Sequence, residues 1–196
     1  MLMSLVLGGL QPAGTKGAAA TGDGSRYTVD GRLKFPVEYR EWIYLTSGLD
    51  MSYAPKAAAA THSVFDNVFV NPSAYRAFLK TGKRPDGSVF VLENRRAEAN
   101  RSINTRGQTQ SVEVMGMELH VKDAKLKGGW GFYAFKDRVS VKLIERSASC
   151  YTCHEQHGAV DTTFVQFYPT LIGPAKEKGT LNAEFLRETG VPESGK

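Results

Sequence analysis

Gly129-Trp130-Gly131-Phe132-Tyr133-Ala134-Phe135 is the stretch that decides the fold. Its aromatic content, set between glycines, marks a β-strand, and it is the fifth such candidate in a chain with few helical patterns. Working upstream, residues 110–121 alternate as a strand does, and Asp86-Gly87 turns the chain into Ser88-Val89-Phe90-Val91-Leu92-Glu93. Residues 63–70 and 41–46 have the aromatic and β-branched content of two further strands. Between them, Asn71-Pro72 starts a helix that runs to Lys80 and stops at Gly82, with Tyr75, Phe78 and Leu79 on one apolar face. Residues 95–109 are polar and charged and read as an exposed excursion between strands. Five strands and few helices predict an α+β, mainly β fold, a five-stranded antiparallel sheet with packed helices.

Downstream of the aromatic strand stands Cys150-Tyr151-Thr152-Cys153-His154, a C-x-x-C-H pentapeptide with the spacing of a c-type haem attachment site. Two thiols one helical turn apart suit addition to the two vinyl groups of a porphyrin, and the adjacent imidazole of His154 suits the iron. Ser147-Ala148-Ser149 offers an N-cap, and Glu155-Gln156-His157 continues a short helix to Gly158, so the sheet is followed by a C-terminal haem-attachment helix. A zinc site is the first rival, but Cys150, Cys153, His154 and His157 crowd onto one short helix and no second C-x-x-C exists. A thioredoxin-like dithiol is the second, and it lacks a clear βαβ surround. The expected cofactor is one covalently attached haem c.

The 196 residues suit one domain, and both cysteines of the chain are taken by the motif, so no disulfide framework is available. Residues 1–20 open with an apolar run of signal-peptide length and read as a signal or leader segment, although no Lys or Arg precedes the run. Residues 21–32 read as a flexible linker, 33–175 as the haem domain and 176–196 as a C-terminal tail. Haem is attached to c-type chains outside the bacterial cytoplasmic membrane, so a periplasmic, exported protein without stable membrane insertion is expected. The formal charge is +5, yet the basic residues are spread along the chain, which speaks against nucleic acid and leaves a basic face able to steer an acidic redox partner.

Several stretches carry a family resemblance. Phe35-Pro36-Val37-Glu38-Tyr39-Arg40-Glu41-Trp42, Val68-Phe69-Val70-Asn71-Pro72-Ser73-Ala74-Tyr75, Lys80-Thr81-Gly82, Asp86-Gly87-Ser88-Val89, the aromatic strand 129–135 and residues 164–169 resemble the cytochrome P-460 and cytochrome c′-beta family. The resemblance covers about residues 33–172. It implies a homodimer carrying one pentacoordinate haem, with His154 as proximal ligand. In cytochrome P-460 a lysine after the D-G-x-V turn is bonded to the porphyrin, and that bond goes with hydroxylamine oxidation. The matching residue here is Leu92, which has no nucleophilic atom, and Lys80 and Lys83 precede the turn. The chain therefore looks more like the c′-beta branch, which binds nitric oxide under an apolar ceiling, here Phe90 on the face of Leu92, with Phe65 as an equal contender.

Glu118 matches a distal carboxylate of cytochrome P-460, a catalytic proton acceptor, and reads equally as a solvated glutamate on an alternating strand. Asp66 falls near a position where a P-460 member carries arginine. Met115, Met117, His62 and His120 are candidates for a sixth ligand, with core packing or surface as the bland reading. The expectation is a mono-haem c-type cytochrome with an open distal site for nitric oxide or a related small nitrogen ligand, exchanging electrons with a soluble cytochrome. The alternative is a hydroxylamine-oxidising enzyme.

Overall fold

Alternation along the chain decides the architecture, because a strand that reads apolar on both faces needs a cover on each. A computed structural model of the chain describes residues 22–53 and 62–190. The expected leader at 1–20 and a small-residue stretch at 57–60 lie outside the described residues. In order, the elements are β1 (Leu33–Lys34), β2 (Ile43–Leu49), β3 (Val64–Val70), α1 (Pro72–Thr81), β4 (Val89–Ala99), β5 (Gln108–Lys122), β6 (Trp130–Phe135), β7 (Ser140–Val141), α2 (Ser149–His157), α3 (Pro169–Glu177) and α4 (Ala183–Thr189). Strands β2 to β6 form one antiparallel meander in sequence order, and β1 pairs with β7 beside it. The α+β, mainly β fold with its five-stranded antiparallel sheet is thus observed.

The central strand β4 divides its residues between two environments. Val89, Val91 and Glu93 face a core made with Leu33, Phe35, Tyr39, Trp42, Phe69, Leu119, Val121, Tyr133 and Phe135. Phe90, Leu92 and Asn94 face the opposite side, where the helices pack. α1 lies on this second side through Ala74 and Phe78, both fully buried, and burial of a side chain as large as Phe78 stabilises by about 1.5–3 kcal/mol.

One expectation changes in the structure. The expected excursion at 95–109 is only partly one: β4 runs on to Ala99 and β5 begins at Gln108, so just residues 100–107 leave the sheet, with register shifts near Asn94 and Arg95. The polarity of 95–109 arises because the arm extends past β6, which pairs only with Met117–Lys122 of β5. Upstream of the sheet, Asp23 accepts a hydrogen bond from the Ser73 backbone N–H at 2.7 Å and so caps α1. Asn71, at the N-cap position itself, instead binds the β4 backbone through Val89 N–H at 2.8 Å. After α3, Leu181 and Phe185 pack against the helical core.

Within the closed face, Glu93 is wholly buried and accepts hydrogen bonds from Arg95 Nε at 2.6 Å, from the Tyr39 hydroxyl and from Arg40. Burial alone would raise its proton affinity, but the bonds from Arg95 and Tyr39 outweigh burial and hold the carboxyl below the usual glutamate range. Removing Glu93 orphans the buried Tyr39 hydroxyl while Arg40 and Arg95 still reach solvent, so Glu93→Leu is expected to destabilise by about 1–3 kcal/mol in urea unfolding. With a folded-state value below the unfolded one, the contribution is full above the ordinary glutamate range and is lost as pH falls through the folded value. Stability of the unaltered protein should therefore fall more steeply on acidification than that of Glu93→Leu.

Candidate functional site

The site begins with the geometry of α2. Positions i and i+3 share a helix face, so Cys150 and Cys153 point the same way with His154 beside them. Tyr151, on another face, is buried and fixes the helix to the sheet: its hydroxyl donates to the Ile144 carbonyl at 2.9 Å and accepts from the Phe132 backbone N–H at 3.3 Å. The helix ends at Gly158, whose backbone is extended rather than left-handed. A side chain there would stand 2.7 Å from the His154 carbonyl oxygen and 2.9 Å from Thr162, so glycine lets the following loop fold back onto the helix.

That loop orients His154. Its Nδ1–H donates to the Thr162 carbonyl at 2.8 Å, which leaves Nε2 as the nitrogen carrying the lone pair. Thr162 is held in turn: its hydroxyl shares a hydrogen bond of 3.2 Å with His120 Nε2. The loop is pinned from α4 by Asn182, whose amide donates to the carbonyls of Gly158 and Asp161 at 2.7 Å each, and by Lys122 pairing with Asp161. Burial holds His154 below the usual histidine range, which keeps the imidazole neutral. Burial also pushes the Cys150 thiol up, the opposite of what a reactive dithiol pair needs. No group of three or more His, Cys, Asp or Glu among the described residues is placed to hold a metal ion.

Cys150, Cys153 and His154 line a cavity of about 480 Å3 between α2 and the open face of the sheet, within the range of about 300–1,000 Å3 usual for cofactor sites. Phe90, Leu92 and Val68 supply its sheet wall, and Phe164, Phe167, Tyr168 and Tyr53 surround the rest. The ring of Phe164 lies 4.1 Å from that of His154, centroid to centroid, and Phe132 lies at 4.7 Å. Polar groups gather toward one end, where Asp66 accepts from Asn94 Nδ2 at 2.6 Å and Glu118 sits across β4, its strand partner there being Leu92. Burial raises the proton affinity of both carboxyls, and Asp66 raises that of Glu118 further.

Of the residues singled out in the sequence, Cys150, Cys153, His154, Phe90, Leu92, Asp66 and Glu118 meet in this cavity. Phe65 does not. It pairs with Arg95 on the sheet face that carries Asn67 and Phe69, because neighbours in a strand point oppositely and Asp66 already faces the cavity. Met117 is buried in the closed core, and Met115 is exposed. His120 stacks on Phe132 at 4.0 Å and stands edge-on to His154 at 4.8 Å, so it braces the His154 loop rather than facing it across the cavity. No lysine lines the cavity among the described residues, and Lys80 and Lys83 are exposed. Sequence reasoning missed Thr162 and Asn182, for which no residue-type signal exists, and Arg84, a buried arginine beside Phe90.

A meander sheet that leaves one face to a largely apolar cavity, fronted by a neutral histidine whose Nδ1–H is held by the Thr162 carbonyl, suits a haem protein on an α+β scaffold. The family model described as Cytochrome P460 matches residues 36–165, and the chain belongs to that family. No curated protein sequence matches the chain. Membership implies a haem cofactor, and the residues present fit one: two thiols and an imidazole on one helix, aromatic walls and a cavity of suitable size.

The raised proton affinity of Glu118 fixes a sign. A carboxyl whose folded value exceeds its unfolded one disfavours folding as pH rises through that interval. Glu118→Gln should therefore increase resistance to denaturant at pH 8 and leave it unchanged at pH 3, where the native carboxyl is protonated; denaturation curves at the two pH values measure this.

Proposed function

We propose that the chain is a periplasmic mono-haem c-type cytochrome, with haem attached through Cys150 and Cys153, His154 as proximal ligand, and a distal side open to nitric oxide or a related small nitrogen ligand. The observation that carries this reading is the meeting of both thiols and His154 in one cavity whose facing sheet wall is Phe90, Leu92 and Val68. When bound, the haem supplies an iron centre for ligand binding and one-electron chemistry. Thr162 orients the imidazole that would serve it, and the neutral state of His154 keeps a lone pair available. Phe90, Leu92 and Val68 give the cavity an apolar wall that favours a small neutral ligand, since a charged one held against them would be desolvated without partners there. Export and homodimer formation rest on the attachment chemistry and the family resemblance. So does exchange of electrons with a soluble cytochrome. No helix of the described residues is long and apolar enough to cross a membrane.

A second reading, oxidation of hydroxylamine, is favoured by one observation: Glu118 and Asp66 both line the cavity and both hold protons more tightly than usual. A carboxylate so placed is suited to accept protons from an N–H or O–H substrate. Leu92 weighs against it, because the resemblance places Leu92 where cytochrome P-460 carries the lysine whose bond to the porphyrin accompanies that activity.

Absorption spectra of the ferric and ferrous protein, with and without nitric oxide, test the first reading. It expects a high-spin ferrous band at an ordinary c-type position that shifts with nitric oxide. A low-spin ferrous spectrum indifferent to the gas would contradict it, and steady turnover of hydroxylamine with an electron acceptor would establish the second reading. Leu92→Lys is expected to form a new bond to the porphyrin, seen as a red-shifted ferrous band; an unaltered spectrum would show that Leu92 is not the matching position.

A further inference from the structure

Arg84 stands between α1 and β4 in Lys83-Arg84-Pro85, and its side chain enters the interior: the residue is 3% exposed. Its guanidinium lies over the ring of Phe78 at 3.8 Å and over Phe90 at 4.8 Å, and Nε donates to Thr163 Oγ1 at 3.4 Å. Both terminal nitrogens are buried without an acceptor. Of the acidic side chains that bear on it, Asp161 is paired with Lys122. Burial pulls the group down to about 9. Contacts with aromatic faces are weaker than the penalty for burying an unpaired ion, so this arginine is built for an anion that the described residues do not supply.

The cavity shows where that anion comes from. Phe90 and Thr163, the neighbours of Arg84, are wall residues, as are His120 and Tyr168, which lie within its field. The acids are elsewhere: Asp66 pairs with Asn94, four residues along β4 from Phe90 and roughly 13 Å away at the rise of a strand. The thiols belong to the acidic end, as Cys150 lies within the field of Glu118. A haem carries its vinyl groups and its two carboxylates on opposite edges of the ring. With the vinyl edge at the thiols, the carboxylate edge turns away from Asp66 and Glu118 and toward Arg84.

We propose that Arg84 holds a propionate carboxylate of the bound haem as a buried ion pair. This rests on the reading of the cavity as a haem c site. The pair satisfies the two orphaned nitrogens, selects one orientation of the ring, and places a fixed positive charge beside it. A guanidinium suits this role better than an ammonium because its parallel N–H groups match a carboxylate.

The test uses the full-length haem protein with 13C in the propionate carboxyl carbons, compared with Arg84→Gln and Arg84→Lys by redox-difference infrared spectroscopy and by midpoint potential. The labelled carboxylate bands are expected to move in both variants. In Arg84→Gln, the ferrous-to-ferric ratio at the unaltered protein's midpoint should fall about tenfold, equivalent to about 59 mV for one electron. Arg84→Lys, which keeps the charge and loses the fork, should stay within about threefold of the unaltered ratio. If Arg84→Gln does not accumulate, the bands of Arg84→Lys decide. Labelled bands that superimpose on those of the unaltered protein would overturn the role of Arg84, whatever the potentials do. An unaltered protein whose mass lacks the haem would instead remove the functional reading beneath it.

Discussion

The hydrogen bond from His154 Nδ1–H to the Thr162 carbonyl is the contact on which the site depends. It fixes the tautomer of the imidazole, and it exists because the chain reverses tightly after α2. Gly158 permits the reversal, the Val160–Thr163 bridge closes it, and Asp161 adopts a left-handed backbone within it. Asn182, Lys122 and His120 then tie the loop to α4 and β5. What looks like a C-terminal tail is thus part of the support for the one histidine that matters most.

The sheet solves a second problem, that of building a wall which is rigid on one side and receptive on the other. The period of two in β4 sends Val91 and Glu93 into a closed core and Phe90 and Leu92 into the cavity. Buried charge is treated differently on the two sides. Glu93 is surrounded by Arg95, Arg40 and Tyr39, a satisfied network. Arg84, beside the cavity, keeps two donors without acceptors. A folded chain tolerates such an orphan where a bound group completes it.

Much of this was legible in the sequence for a simple reason: strands and attachment helix follow from local residue patterns. The strands 63–70 and 110–121, the helix opening at Asn71-Pro72, and the grouping of Phe90, Leu92 and Glu118 with the C-x-x-C-H helix all appear in the structure. The failures have a common cause in tertiary context. Phe65 and Asp66 cannot face the same cavity, and choosing between them needed the register, which a shift of one residue inverts. Within 95–109, the end of β4 and the start of β5 are polar because they reach beyond β6, so composition hid the strand ends. Arg84 looks like any surface arginine between a lysine and a proline until the fold encloses it. His120 takes the bland role weighed against a sixth ligand, a hydrogen-bonded side chain whose partner is the hydroxyl of Thr162.

The central claim is that one haem is bonded to α2 through both cysteines. Proteolysis of the purified protein followed by mass spectrometry of the peptide spanning Cys150 to His154 tests it directly. The account predicts a peptide heavier by one haem, with both thiols consumed and no second attachment point on the chain. The same peptide recovered with free thiols, or a haem bonded elsewhere, would contradict it.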